Sequence, residues 1–275
     1  MKKLPFFLLI LFFYEANSQY YYKDVVAAAD VNRQWKTYTS NNVRKVTATG
    51  ITPEGGTSAD FSEVYEINSN TLKVTTRINK TVSSVRYIFN DRGLLVTTVD
   101  SAAGVKSTST YTYNANDKIT SISNLTTDAD SSADFSQTEI HQFIYKDGKL
   151  EKMWRIINKT DSLEVRFVLD NNGNVIEEWN VKRGVYSDPF HYYYDEKNRL
   201  TDIVRFNHKA NRLLPDFLFE YDDNDRVIQK ITTITGQSIG YLTWRYLFNE
   251  KGLKTKEALF NKNKELQGRI DYSYN

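Results

Sequence analysis

Apolar and polar positions alternate along most of this chain. At regular intervals an aromatic–x–aromatic step ending on Asn or Asp interrupts the alternation. Tyr87-x-Phe89-Asn90, Tyr111-x-Tyr113-Asn114, Tyr192-x-Tyr194-Asp195, Phe219-x-Tyr221-Asp222 and Tyr246-x-Phe248-Asn249 show the full pattern. Phe167-x-Leu169-Asp170 and Tyr65-x-Ile67-Asn68 show it with one aliphatic replacement. Phe143-x-Tyr145-Lys146 keeps the aromatics without the anchor, and Tyr272-x-Tyr274-Asn275 opens a ninth copy. Successive anchors lie 22 to 32 residues apart, a period that calls for repeat architecture before any local assignment.

Each copy reads as a β-hairpin. Residues three and one before the anchor share a strand face, because strand side chains alternate with period two. The anchor suits the first position of a type I turn, where its side chain bonds nearby backbone. Three residues on stand Gly93, Asp117, Gly173, Asn198, Asp225 or Gly252, types that tolerate positive φ. Leu95, Ile119, Leu150, Val175, Leu200 and Val227 then restart an apolar strand. Lys146-Asp147-Gly148 predicts a tighter turn, and Thr71 closes the first copy with a residue that does not suit the position.

A longer period overlies the short one. Ser58-Ala59-Asp60-Phe61-Ser62 recurs as Ser132-Ala133-Asp134-Phe135-Ser136, and Ile78-Asn79-Lys80-Thr81 recurs as Ile157-Asn158-Lys159-Thr160. Three hairpins per larger unit explain both offsets. The expected fold is all-β, an antiparallel hairpin repeat of about sixteen strands. Open sheets rarely exceed ~10 strands without curling or splitting, so a strongly curved or partly closed structure, or two packed sheets, is expected. Three segments follow: a leader over 1–18, a lead-in or cap over 19–60, and the repeat body over 61–275. In the lead-in, Asp24 to Ala29 suggests a short helix with Asp24 as N-cap, while Trp35, Tyr38 and Val46 suggest an extended strand or cap.

At Tyr194-Asp195-x-x-Asn198-Arg199-Leu200 and Tyr221-Asp222-x-x-Asp225-Arg226-Val227 the pattern resembles the YD repeats of bacterial RHS-type proteins. That resemblance spans roughly residues 60 to 275 and implies antiparallel β-ribbons of the kind that wind into hollow shells. With about eight copies, where shells use dozens, the chain is not expected to enclose a cargo alone. No C-terminal toxin segment follows the repeats, so the toxin-delivery role is not implied.

The first residues, Met1-Lys2-Lys3 followed by an apolar run from Phe6 to Tyr14 and then Ala16-Asn17-Ser18-Gln19, read as a secretory signal cleaved between Ser18 and Gln19. The run is too short for a membrane span, which needs about 20 apolar residues. There is no cysteine, so disulfides and thiolate metal sites are excluded. Loss of Lys2, Lys3 and Glu15 lowers the formal charge of +2 by one unit, which gives no basis for binding nucleic acid. The 19 Tyr and 15 Phe, set in polar sequence, point to half-buried strands.

The strongest candidate site is an aromatic stripe. Tyr87, Phe89, Tyr111, Tyr113, Tyr192, Tyr194, Tyr246 and Phe248 are expected on one face, with Trp244 beside them and Trp154 and Trp179 at equivalent places on following strands. Two readings stand: the rings pack the inside of the curve, with Tyr hydroxyls reaching water at the rim, or they form an exposed ladder for glycan or peptide. His141, His191 and His208 fall at different repeat phases with no spaced partner, so neither a metal nor a catalytic site is expected. Asp222-Asp223-Asn224-Asp225 reads as a turn. The stretch Asp128 to Asp134 reads as the loop freest to meet a partner, and neither cluster has the Gly and terminal Glu of an EF-hand calcium loop.

No nucleophile elbow, zinc-protease helix or phosphate-binding glycine loop occurs, and no cofactor is implied. A glycosidase carboxylate pair would have to come together in the fold. Asp100-Ser101-Ala102 and Asp161-Ser162-Leu163 look like O-glycosylation triplets of exported Bacteroidota proteins. These features predict a non-enzymatic envelope protein, in the periplasm or at the cell surface, that binds a protein partner. In size and lack of chemistry the chain is similar to the plug subunit of the type IX secretion translocon, which implies an outer-membrane channel as partner. A glycan- or peptide-binding module is the alternative.

Overall fold

The structure is a computed structural model that describes residues 19–102, 104–128, 135–234 and 240–275. The leader, and most of the Asp128–Asp134 connection, lie outside these residues. Among the described residues nineteen strands form one antiparallel sheet, from Lys45–Ile51 to Leu266–Tyr274, each but Val185–Tyr186 paired with the next in the chain. The first and last strands pair with each other, Val46 opposite Tyr274 and Ile51 opposite Arg269, so the sheet closes into a barrel. One strand of the ring is broken in two: Val185–Tyr186 and Phe190–Tyr194 both pair with Val175–Lys182 and flank Pro189, which has no N–H for a ladder. Counting these two as one position, the barrel has eighteen strands, an even number as antiparallel closure requires.

Every copy of the repeat contributes two neighbouring strands, and every anchor lies at the same rim. Asn90 is typical. Its Oδ1 accepts the backbone N–H groups of Arg92 and Leu94, both at 3.0 Å. Asn114, Asp170, Asp195, Asp222 and Asn249 repeat the same two bonds. The residue three places on has positive φ in each, from 59° at Asp117 and Asn198 to 85° at Gly173. Lys146-Asp147-Gly148-Lys149 forms the tighter turn, with Asp147 and Gly148 both left-handed, as a type I′ hairpin requires. Asn68 to Thr71 closes without a left-handed residue. Asn261 builds a further turn of the anchor type at the opposite rim, with Lys264 in the left-handed position.

The ninth copy is completed from the other end of the chain. Asn275 exchanges backbone hydrogen bonds with Lys45, in the place where its own second strand would begin. Strand Lys45–Ile51 therefore supplies the missing half of that hairpin and belongs to the repeat body. The division expected at residue 60 falls inside strand Thr57–Ile67, so the lead-in is not a separate cap. Eight copies, too few for a cargo shell, suffice to close when the N-terminal residues lend a strand.

Neighbouring copies are tied by their tyrosines. The hydroxyls of Tyr113, Tyr145, Tyr194, Tyr221 and Tyr274 donate to the carbonyls of Leu95, Ile119, Val175, Leu200 and Lys254, each at the start of the second strand of the preceding copy. The hydroxyls thus bond to backbone inside the wall, where water at the rim was expected. At the rim, Arg199 bonds Asp195 and reaches the carbonyl of Asp222, and Arg226 repeats this with Asp222 and the carbonyl of Asn249. Tyr221→Phe should lower the unfolding free energy by about 1 kcal/mol, the net value of one hydrogen bond. Asp222→Ala, which strips two backbone bonds and an arginine pair, should cost about 2–3 kcal/mol. Urea unfolding midpoints measure both, and an unshifted midpoint for Asp222→Ala would exclude the turn as a stabilising element.

Candidate functional site

The inner face of the barrel is not empty. A π-helical turn, Tyr21–Val26, runs directly into an α-helix, Ala27–Ser40. Trp35 stacks on Phe89 with centroids 4.4 Å apart, and Tyr38 packs against Tyr65 and Tyr274 on either side of the closing seam. At the other end, Tyr21 packs edge-on against Tyr192 and beside Phe167, and Tyr22 meets Phe217 and Phe219. Those partners stand on the wall opposite the seam. A segment that touches strands all round a closed ring lies inside it, so this helix is a brace across the lumen. Twenty residues of helix span about 30 Å, the length such a crossing needs.

The predicted cap at Asp24 is not there. Helix N-termini leave N–H groups unpaired, and where such an end is buried they must be satisfied from the surrounding wall. Glu178, buried at 1% exposure, does so: its Oε1 accepts Tyr20 N–H at 2.8 Å and its Oε2 accepts Tyr21 N–H at 3.1 Å. The Tyr192 hydroxyl donates to the same carboxyl at 2.7 Å. Burial raises the pKa of Glu178, while these three bonds oppose the rise. Gln19 adds a second tie, donating to Asp216, which also takes Arg205. Trp35 and Tyr38, read from the sequence as extended, belong to the helix.

Asp24 instead joins a charged clasp. His141 places Nδ1 at 2.6 Å from Asp24 and Nε2 at 2.7 Å from Glu139, so both ring nitrogens face carboxylates. Arg155 grips Glu139 through two bonds of 2.8 Å. Burial alone would lower the pKa of His141, but the charge and hydrogen bond of Asp24, with the bond to Glu139, lift it to about 9. For Glu139 burial pushes upward, yet the bonds from His141 and Arg155 prevail and hold it at about 2. The clasp is a charged, mutually neutralised group with no open position. Among the described residues, no group of three or more His, Asp or Glu side chains is arranged to hold a metal.

The aromatic stripe is divided between the two faces. Phe89 and Tyr192 are buried, and Tyr87, Tyr111, Tyr113 and Tyr194 pack against the same core as the helix. Tyr246 faces inward with Lys254 over its ring, and Trp244 shares its face. Trp154 and Trp179 do not join them. Trp154 alternates with Met153, which is fully buried, and so points outward beside Lys152. Trp179 alternates with Glu178, bonds Glu177 and meets Tyr186 edge-on on the outer face. The cause is a bulge after the turns that precede these two residues, seen as a register shift between Val168 and Leu169 and between Ile144 and Tyr145. The bulge inserts one unpaired residue and reverses every later side chain.

His191 lies on the outer face 3.7 Å from Glu177, and His208 pairs with Asp188 at the rim opposite the anchors. Asp222 to Asp225 is a turn, as expected. Glu178, Glu139, Arg155 and Asp216 were missed. Counting three residues from each strand start would have found Glu178, with Lys230 and Glu257 as its counterparts in later copies. Much of the outer face is polar, with Val168, Tyr193 and Leu247 exposed among the polar side chains. Lys106, Thr108, Thr110 and Thr112 line one strand, and ion pairs Lys73–Glu66 and Arg269–Asp271 stand on others. A transmembrane barrel has the reverse polarity, with an apolar outer band around a polar interior. Among the described residues no helix is long and apolar enough to cross a membrane.

No protein-family model matches the sequence, and no curated protein matches it. Solved structures with some likeness include a porin-like protein from Bacteroides uniformis, at 12% identity and TM-score 0.37, covering 85% of this chain and 98% of that one. A porin-like protein from Bacteroides vulgatus has 14% identity and TM-score 0.29, covering 85% and 98%. The Tc holotoxin pore of Photorhabdus luminescens has 14% identity and TM-score 0.35, covering 81% of this chain but 13% of that one. Likeness at this level carries no argument about function.

The clasp sets a pH dependence. His141, raised to about 9 in the fold from an unfolded value near ~6.5, stabilises fully below that lower value and loses its contribution as pH rises through 9. Glu139 stabilises above its ordinary value of 4.5 and loses its contribution as pH falls toward 2. The melting temperature should therefore fall between about pH 7 and 9, and His141→Asn should abolish that decline. Glu178→Ala should cost about 3 kcal/mol, because it leaves buried donors unpaired. A flat alkaline profile in the parent protein would contradict the clasp.

Proposed function

We propose that this chain is an exported, non-enzymatic subunit of the bacterial cell envelope that works by docking on another protein. The observation that carries this reading is the braced lumen. Where a barrel protein would hold a ligand or a passage, this one holds its own helix, and the His141, Asp24, Glu139 and Arg155 charges there are committed to one another. The chain is thus a stiff body with its recognition on the outside. Its polar wall suits water on all sides and not a bilayer interior. The resemblance to YD repeats, and in size to the plug subunit of the type IX translocon, supports an outer-membrane channel as the partner. The periplasm is the compartment that agrees with a cleaved leader and no lipid-bearing cysteine.

The alternative of a glycan or peptide ladder has less support. While the helix is seated, the inward rings Tyr87, Phe89, Tyr111, Tyr113, Tyr192 and Tyr194 are packed into the core. An epitope-tagged chain, cross-linked in its native host and purified, should bring down an outer-membrane channel component in near-equal amount. Recovery of the chain without any outer-membrane component would overturn the docking reading.

A further inference from the structure

The two rims of the barrel differ in chemistry. The anchor rim is built of Asn, Asp and Arg turns. The opposite rim carries large apolar side chains at its hairpin tips, and one half of it is also basic. On that half, running from the Ile157–Asp161 hairpin to the Phe260–Leu266 hairpin, Val185 is 71% exposed, Tyr186 47%, Leu213 45% and Tyr241 42%. Between them stand Lys159, Lys182, Arg183, Lys209, Arg212, Lys262 and Lys264, all exposed. The described acids of this arc are Asp161, Asp188 and Glu265, so cations exceed them by four. Asp188 is held by His208, and Asp161 faces Lys182 at 4.0 Å.

Isolated apolar side chains on a surface need no explanation, but here they share one rim and alternate with lysines. A protein docking core would be a continuous apolar patch with few lysines, since lysine is depleted at such interfaces. Scattered apolar tips amid basic residues match the pattern that lets a protein rest on a bilayer: apolar and tyrosine side chains enter the headgroup layer while Lys and Arg meet lipid phosphates. We propose that this half-rim docks the barrel, end-on, to an anionic phospholipid surface. The barrel wall stays in water, and the anchor rim faces away from the membrane. The inference rests on the rim itself and is independent of the channel reading above.

Residues 19–275, which hold every described strand and the helix, serve for the test. Sedimentation is measured with vesicles of phosphatidylcholine alone and with 30% phosphatidylglycerol added, an amount of about one anionic lipid in three. Partitioning should be at least tenfold greater onto the anionic vesicles and should weaken as salt is raised. Lys159→Glu, Lys182→Glu, Lys209→Glu and Lys264→Glu combined should remove at least tenfold of that binding. Val185→Ser with Leu213→Ser should reduce it on both vesicle types. Lys197→Glu with Lys251→Glu, on the anchor rim, should leave it unchanged. Circular dichroism and melting temperature confirm that each variant is folded. Equal partitioning onto both vesicles, no sedimentation with either, or equal losses from the two rims would each overturn the proposal.

Discussion

The burial of one helix against the inner rings of a barrel wall is the interaction on which this structure depends. A barrel of 16–18 strands ordinarily leaves a water-filled channel, because its circumference outruns the reach of its side chains. Here the repeat places an aromatic pair on alternate strands, and those rings still fall short of one another across the lumen. The segment from Gln19 to Ser40 bridges the gap. Tyr20, Tyr21 and Tyr22 meet one wall, Trp35 and Tyr38 meet the wall beside the seam, and Glu178 satisfies the donors that the crossing leaves unpaired. Removing that segment would expose the inner rings of most strands together.

Closure follows from the same segment. The chain that leaves the helix at Asn41 becomes strand Lys45–Ile51, which pairs with both its neighbour in sequence and the last strand. One stretch of sequence therefore both fills the lumen and zips the sheet. Edge strands invite pairing with other chains, and full closure removes them. The tyrosine hydroxyls that bond the carbonyls of the preceding copy, and the arginine pairs at the rim, then bind many of the neighbouring copies side by side.

Much of this was legible in the residues. The anchors at Asn90, Asp170, Asp195, Asp222 and Asn249 mark turns because Asn and Asp bond local backbone, a property that needs no tertiary context. The period marked the hairpins, and a strongly curved or partly closed sheet followed from their number, while its full closure did not. What stayed hidden depends on three-dimensional placement. Trp154 and Trp179 fell on the wrong face because the single bulge residue after the turn before each of them is silent in a period-two pattern. Trp35 and Tyr38 looked extended because β-branched and aromatic residues weaken helix propensity, which tertiary packing here overrides. Glu178 stands at a repeat position that the sequence marks, but its role as a cap depends on Tyr20 and Tyr21, which lie far away in sequence.

Hydrogen exchange over the N-terminal helix tests the central claim most directly. With Tyr20 and Tyr21 bonded to Glu178 and Ala28, Trp35 and Tyr38 buried against the wall, its hydrogen-bonded amides should exchange only when the helix leaves the wall, as slowly as those of the central strands. Deuterium uptake across residues 19–40 within seconds, with the strands still protected, would show a helix free of the lumen and contradict the account.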